Sequence, residues 1–260
     1  MLPDGTLAGR VALVTGGGSG LGRAMALELG RLGAKVAVVG RRREPLDATV
    51  ASLAGDGFAV QADVRDHDAV AAAFDAAEEA LGPLTTLVNN AAGNFLVRAE
   101  DLSPNGWRAV VGIVLDGTFH CSRELARRVA NRGGDNAQIV NMVATYAWTG
   151  GPGTAHSAAA KAGVVNLTRT LAVEWARHGI RVNAIAPGPI DTEETRVRLW
   201  PTEEMREQLL RRIPLGRFGG EEEIAHACAY LVSDFAGYVT GDVLTVDGGA
   251  WLERGMFLAD

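Results

Sequence analysis

A chain of 260 residues with 47% hydrophobic content carries enough apolar material for one large α/β domain. The formal charge of −6 and the pI near 5.4 argue against nucleic acid or an anionic membrane as the main partner, so any anionic ligand must be met by a local basic cluster. No stretch approaches the roughly 18 apolar residues that cross a bilayer, and Met1 to Arg10 lacks a basic region followed by an apolar run, so the expected location is the cytoplasm.

Short β-rich apolar runs at Arg10–Thr15, Lys35–Gly40, Ala59–Ala62, Thr86–Asn89, Gln138–Val143, Arg181–Ala186 and Val243–Val246 predict seven strands. Helix-period stretches separate them, such as Leu21, Ala24, Met25, Leu27 and Leu32, or Val164, Val165, Leu167, Thr168 and Leu171. Strict alternation of strand and helix means right-handed βαβ units. The expected fold is therefore a doubly wound Rossmann domain with a mostly parallel seven-stranded sheet, spanning residues 1–260 without an internal linker.

Directly after the first strand comes Thr15-Gly16-Gly17-Gly18-Ser19-Gly20-Leu21-Gly22, followed at once by a helical pattern. A glycine turn in that place lets backbone N–H groups and the positive end of a helix approach a pyrophosphate. The second strand ends Val39-Gly40-Arg41-Arg42-Arg43, where an NAD-binding chain places a carboxylate for the adenosine 2′-hydroxyl. Guanidinium pairs bidentately with phosphate, so the expected cofactor is NADP(H). A solvated basic loop at a helix start is the plainer alternative.

Cys121 and Cys228 stand far apart and read as small buried hydrophobes, and the five histidines show no ligand spacing, so no metal is expected. Only two of the 25 basic residues are lysines, Lys35 and Lys161. An ammonium at 161 is a compact three-donor charge whose pKa moves readily on burial. The least regular stretch, 187–220, carries Arg196, Arg198, Arg206, Arg211, Arg212 and Arg217 and reads either as a substrate lid or as helices with solvated arginines.

TGxxxGxG at 15 to 22, Asp63-Val64, Asn89-Asn90-Ala91-Ala92-Gly93 and Pro187-Gly188-Pro189-Ile190-Asp191-Thr192 fall in the order of the short-chain dehydrogenase/reductase family, which the chain resembles over almost its full length. The resemblance implies a cofactor contact surface of Gly16, Ser19, Gly20, Leu21, Arg41, Asp63, Val64, Asn89, Lys161, Pro187, Gly188, Ile190 and Thr192. Asp63 is implied to meet the adenine, Asn89 the adenosine side and Lys161 the nicotinamide ribose. Ile190 and Thr192 fall at the carboxamide region.

Departures from the family pattern carry more information. The tyrosine of YxxxK is replaced by Ser157, the usual catalytic serine falls on Ala144, and the usual asparagine falls on Val114. Tyr146, fifteen residues before Lys161, instead resembles the arrangement of the 2,4-dienoyl-CoA reductase branch, as do Asn90 to Phe95, Leu102 to Trp107 and His156 to Gly163.

That branch implies NADPH-dependent reduction of a conjugated acyl-CoA thioester in unsaturated fatty-acid breakdown. Tyr146 would stabilise a dienolate oxygen, Lys161 would act as orienting cation and Ser157 as a neighbouring hydroxyl. Asp116 stands where mitochondrial-type members are implied to carry an asparagine near the thioester oxygen; as a carboxyl it would act protonated or by holding a water. Phe95, Trp148 and Trp200 are candidate acyl-pocket aromatics, and His156 reads as a neighbour of the site. A homotetramer is implied, with the apolar face of 157–177 and the tail 251–258 as contacts. Alternatives are a trans-2-enoyl-CoA reductase, a carbonyl reductase of the same family, and a nucleotide-binding protein without turnover.

Overall fold

In a computed structural model, residues 2–134, 136–198, 200 and 202–253 are described, with backbone alone at 194, 197 and 198. The elements alternate in chain order: β1 (Val11–Thr15), α1 (Gly20–Arg31), β2 (Lys35–Gly40), α2 (Arg43–Ala51), β3 (Gly57–Gln61), α3 (His67–Leu81) and β4 (Thr86–Asn89). Then come α4 (Pro104–Val111), a π-helical turn (Gly112–Asp116), α5 (Gly117–Asn131), β5 (Ala137–Met142), α6 (Tyr146–Thr149), α7 (Ala155–Trp175) and β6 (Ile180–Pro187). The last part holds α8 (Glu193–Arg198), α9 (Glu203–Leu210), α10 (Glu221–Val232) and β7 (Val243–Val246).

The sheet order is β3-β2-β1-β4-β5-β6-β7, and every neighbouring pair is parallel. All seven predicted strands are present, and the sheet is wholly rather than mostly parallel. The third strand starts at Gly57, which pairs with Val36, two residues ahead of the expected Ala59. Because the chain leaves β1 toward one edge and returns to β4 on β1's other side, a crevice opens at the carboxyl ends between these two strands.

Alternating side chains sort the strands onto two cores. Ala12 and Val14 of β1 and Val36 and Val38 of β2 join the core under α1 and α10, whereas Val11, Leu13, Ala37 and Val39 join the one under α3 and α5. Helix α1 answers with Gly22, Met25, Ala26, Leu29 and Gly30 buried at helical spacing. On the other face Phe74, 1% exposed, packs with Val70, Ala77, Leu125 and Val129. A third, smaller core joins Val110 and Val114 to Val143, Ala160 and Val164, seating the start of α7 beside the end of β5.

The stretch 187–220 is more regular than its composition suggests. It folds into α8 and α9, with the Thr202 hydroxyl capping α9 by accepting the Met205 N–H, and a bridge joins Ile190 to Gly219. Of the tail 251–258, only 251–253 lie within the described residues.

Candidate active site

The turn after β1 is cross-tied to the turn after β4. The Thr15 hydroxyl accepts the N–H groups of both Asn90 and Ala91 at 3.0 Å, and the Asn90 amide donates to the carbonyls of Thr15 at 3.1 Å and Gly16 at 3.3 Å. Gly16 has φ +65, and a Cβ there would lie 2.9 Å from the Asn90 amide nitrogen. At Gly22 a Cβ would collide with the Gly16 carbonyl, so this tight loop admits no side chain on either glycine. Ser19, at the N-cap of α1, makes no side-chain cap bond, which leaves the helix N–H groups open to a ligand.

These features line a groove with Gly16, Gly18, Ser19, Gly40, Arg41, Arg42, Asp63, Val64, Ala92 and Ile113. The dipole end, the glycine cradle and the basic rim fit a nicotinamide dinucleotide. Arg43 is engaged elsewhere, its Nε–H shared between the two carboxylate oxygens of Asp47 at 2.8 and 2.9 Å. No ion pair among the described residues engages Arg41 or Arg42, and both are exposed on the groove. Asp63 accepts from Arg65 at 2.6 Å, and this bond, with weaker attraction from Arg41, holds its carboxyl below the usual range. Val64 is buried beside Gly117, with its carbonyl 3.1 Å from the His120 ring.

Asn89 lies beneath this groove instead of in it. Its amide donates to Ser122 and to Asn141, both at 2.9 Å, and Asn141 passes the chain on to Thr168. The residue is 4% exposed, so it braces β4, β5, α5 and α7 from within and offers the adenosine side no side chain.

At the next carboxyl end, α6 places Tyr146 opposite the first turn of α7. The Tyr146 hydroxyl and Ser157 Oγ stand 3.1 Å apart, and Lys161, one turn further along α7, donates to the Met142 carbonyl at the end of β5. The structure thus brings together Tyr146, Ser157 and Lys161. Burial raises the Tyr146 pKa while the Ser157 bond draws it back, and burial alone depresses Lys161 to about 8. The β6 end lies one strand over, since Met142 pairs with Ile185. There Gly188 donates to the Val246 carbonyl, and a buried Thr192 exchanges hydrogen bonds with Thr195, whose hydroxyl also donates to the Ile190 carbonyl. Pro187 ends β6, and Gly20 and Leu21 open α1.

Asp116 is not brought to this group. It closes the π turn on an exposed face, while Val114, two residues earlier, is the one turned inward against Val143 and Ala160. Among the described residues no hydrogen bond or ion pair reaches the Asp116 carboxylate.

The residue passed over in the sequence is Asn94. Its Oδ1 accepts the Phe95 N–H at 3.0 Å, which commits the carbonyl end and leaves the NH₂ as a donor. Phe95 packs edge-on to His156 with ring centroids 4.4 Å apart, bringing this loop against the start of α7 next to Ser157. An asparagine in a post-strand loop reads as turn chemistry, so only this packing distinguishes it.

Of the other aromatics, Trp148 meets Trp251 edge-on at 5.6 Å, and Trp200 stacks on Phe218 at 5.1 Å within the 187–220 stretch. Of the arginines in the 187–220 stretch, Arg196 and Arg206 pair with Asp191, and Arg217 with Glu223. Arg211 and Arg212 are exposed without a described acidic partner.

The profile of a family described as Enoyl-(Acyl carrier protein) reductase matches residues 16–250. The chain belongs to the short-chain dehydrogenase/reductase family. A probable 2,4-dienoyl-CoA reductase [(2E)-enoyl-CoA-producing] of Bacillus subtilis is 48% identical, over 94% of this chain and 97% of the relative. The peroxisomal 2,4-dienoyl-CoA reductase [(3E)-enoyl-CoA-producing] of Arabidopsis thaliana is 40% identical over 97% and 87%. A gluconate 5-dehydrogenase of Gluconobacter oxydans is 36% identical over 94% and 95%. Among solved structures, a short chain dehydrogenase from Bacillus anthracis superposes with TM-score 0.88 at 44% identity, covering 97% of this chain and all of that one. This short-chain dehydrogenase/reductase is an oxidoreductase of a family that uses a nicotinamide cofactor.

The buried ammonium has a measurable signature. Burial lowers the folded pKa of Lys161 to about 8 from the ordinary 10.5, so between those values the unfolded chain binds more protons. Stability therefore rises with pH across that window. In Lys161→Met the rise should be missing, which a comparison of melting temperature against pH for the two proteins checks.

Proposed function

We propose that the protein reduces 2,4-dienoyl-CoA thioesters with NADPH. The observation that carries this reading is the Tyr146–Ser157 hydroxyl pair, 3.1 Å apart beside a buried Lys161, with Ser157 in the place where a carbonyl-reducing relative needs its tyrosine. When bound, the nicotinamide supplies the hydride that adds to the δ carbon of the dienoyl chain. Negative charge then spreads to the thioester oxygen. Tyr146 donates its hydroxyl proton as a hydrogen bond to that oxygen, and Ser157 holds the phenol in place. Lys161 grips the nicotinamide ribose and adds positive potential, and Asn94 directs its NH₂ to the same oxygen as a second donor.

Protonation of the dienolate at the α carbon by water adjoining the oxyanion leaves a 3-enoyl-CoA, as in the product named for the Arabidopsis relative. Protonation at the γ carbon would leave the 2-enoyl product named for the Bacillus subtilis relative, and analysis of the isolated product separates the two. The arginine-bearing 187–220 stretch serves as the lid over the CoA thioester, and among its described side chains Arg211 and Arg212 are the guanidiniums left to meet its phosphates. Breakdown of unsaturated fatty acids, a cytoplasmic location and a homotetramer complete the proposal. Among the described residues no helix is long and apolar enough to cross a membrane.

A carbonyl reductase of the same family is the second reading, favoured by the gluconate 5-dehydrogenase likeness. NADPH oxidation with 2,4-hexadienoyl-CoA beside a 3-oxoacyl-CoA decides between them. Turnover of the dienoyl substrate alone is expected, with Tyr146→Phe losing about 10²–10³ in kcat, as for other single oxyanion donors. Turnover of the ketone alone would reverse the assignment, and NADPH binding with neither reaction would favour a protein without this catalysis.

For the cofactor, Arg41→Ser with Arg42→Ser should cost roughly 10- to 100-fold in kcat/KM for NADPH and little for NADH. That follows from charge-assisted bonds of about 1.5–3 kcal/mol, and steady-state kinetics with both coenzymes reads it. Asn94→Ala should lower kcat by about 10-fold or more, whereas Asp116→Asn should leave it within about twofold, as for exposed positions away from the chemistry.

A further inference from the structure

His156 is fully buried, at 0% exposure, and takes no part in the chemistry described above. As the second residue of α7 it accepts the N–H of Ser157 on its own Nδ1 at 2.8 Å. That bond sets the tautomer: Nδ1 is the acceptor, so the neutral ring carries its proton on Nε2. Among the described residues Nε2 has no hydrogen-bond partner.

The ordinary capping residue does not perform this task. Thr154 occupies the N-cap of α7 without a side-chain bond to the helix, and its hydroxyl donates to the Gly151 carbonyl at 2.8 Å instead. The Ser157 N–H belongs to the first turn, where helical N–H groups lack intrahelical partners. On its other side the imidazole meets the Phe95 ring, so one side chain joins the Asn94–Phe95 loop to the backbone that carries Ser157. A hydrocarbon of equal size would pack against Phe95 but could not accept the Ser157 N–H, which is what Nδ1 adds.

We propose that His156 is a positioning residue, whose Nδ1 bond to the Ser157 N–H fixes the backbone from which the Ser157 hydroxyl reaches that of Tyr146. This rests on the site reading above. Three substitutions separate the atoms of the ring. His156→Asn keeps an acceptor near the Nδ1 position, His156→Gln offers an amide near the Nε2 position without that acceptor, and His156→Leu keeps volume alone.

Expected are a kcat for dienoyl-CoA reduction that falls about 10- to 100-fold in the Gln and Leu proteins, as for modest misplacement of a reacting group. KM and NADPH affinity should stay near wild type, and Asn should recover most of the loss. A readout without substrate accompanies this. The chain has three tyrosines, so a near-ultraviolet difference titration against Tyr146→Phe isolates the Tyr146 phenol. Because the Ser157 bond lowers the Tyr146 pKa, its loosening in His156→Leu should move that titration to higher pH.

An unmoved titration would overturn the proposal while leaving the dienoyl reading intact. So would activity preserved in Gln and lost in Asn, which would make Nε2 the working atom. Equal losses in all three variants, matched by lowered melting temperatures, would reduce His156 to packing and overturn it as well. Absence of dienoyl turnover in the wild type would instead count against the function, and the titration would still judge His156.

Discussion

Two parallel strands that end side by side leave their last carbonyls and the next N–H groups without ladder partners, at the very place where a ligand must approach. In this protein the Thr15 hydroxyl and the Asn90 amide close that gap between β1 and β4. Each is a short polar side chain that satisfies two backbone groups at once, which leaves the glycine loop anchored at its base and open along its rim. The groove at the dinucleotide end depends on this cross-tie, and β4 is aligned with β5 in turn by its own ladder and the Asn89–Asn141 bond. From β5 the alignment passes to Lys161 through the Met142 carbonyl.

The two ends of the crevice use opposite electrostatic designs. Arg41 and Arg42 lie exposed at one end, where an anion can displace water at small cost. Lys161 at the other end is held in a dry setting with a single described protein acceptor, where its charge is less screened and acts more strongly on neighbouring hydroxyls. Tyr146 is half-buried between those extremes, so its hydroxyl can reach both Ser157 and the open side.

The strands and most helices were legible because a parallel sheet covered on both faces imposes long apolar runs with few exceptions. Tyr146, Ser157 and Lys161 were legible through their spacing within a family pattern, and the structure places them together. Side-chain direction was harder to read. Asn89 ends a strand, where a ligand-facing residue would stand, yet the pleat turns it inward to Ser122 and Asn141. Asp116 was placed by its likeness to a family asparagine, and a likeness in sequence does not reveal that the π turn ends there on an exposed face. In the 187–220 stretch helices were one of the two readings, but the pairing of their arginines with Asp191 and Glu223 was not, since no periodicity announces such contacts. Asn94 escaped notice because its significance comes from Phe95 lying on His156.

The π turn at Gly112–Asp116 has a wider meaning. Helices α4 and α5 run through it as one continuous rod, but a π turn takes more residues per revolution than an α turn, so the rod changes phase at its middle. The upstream half keys into α7 through Val110 and Val114, and the downstream half keys into α3 and the sheet through Cys121, Leu125 and Val129. Such a joint lets one helix serve two cores whose orientations differ, much as an offset shaft coupling joins two axles. Shortening the rod by one residue at the joint would restore an uninterrupted α-helix, and one of its two apolar stripes would then turn away from its core.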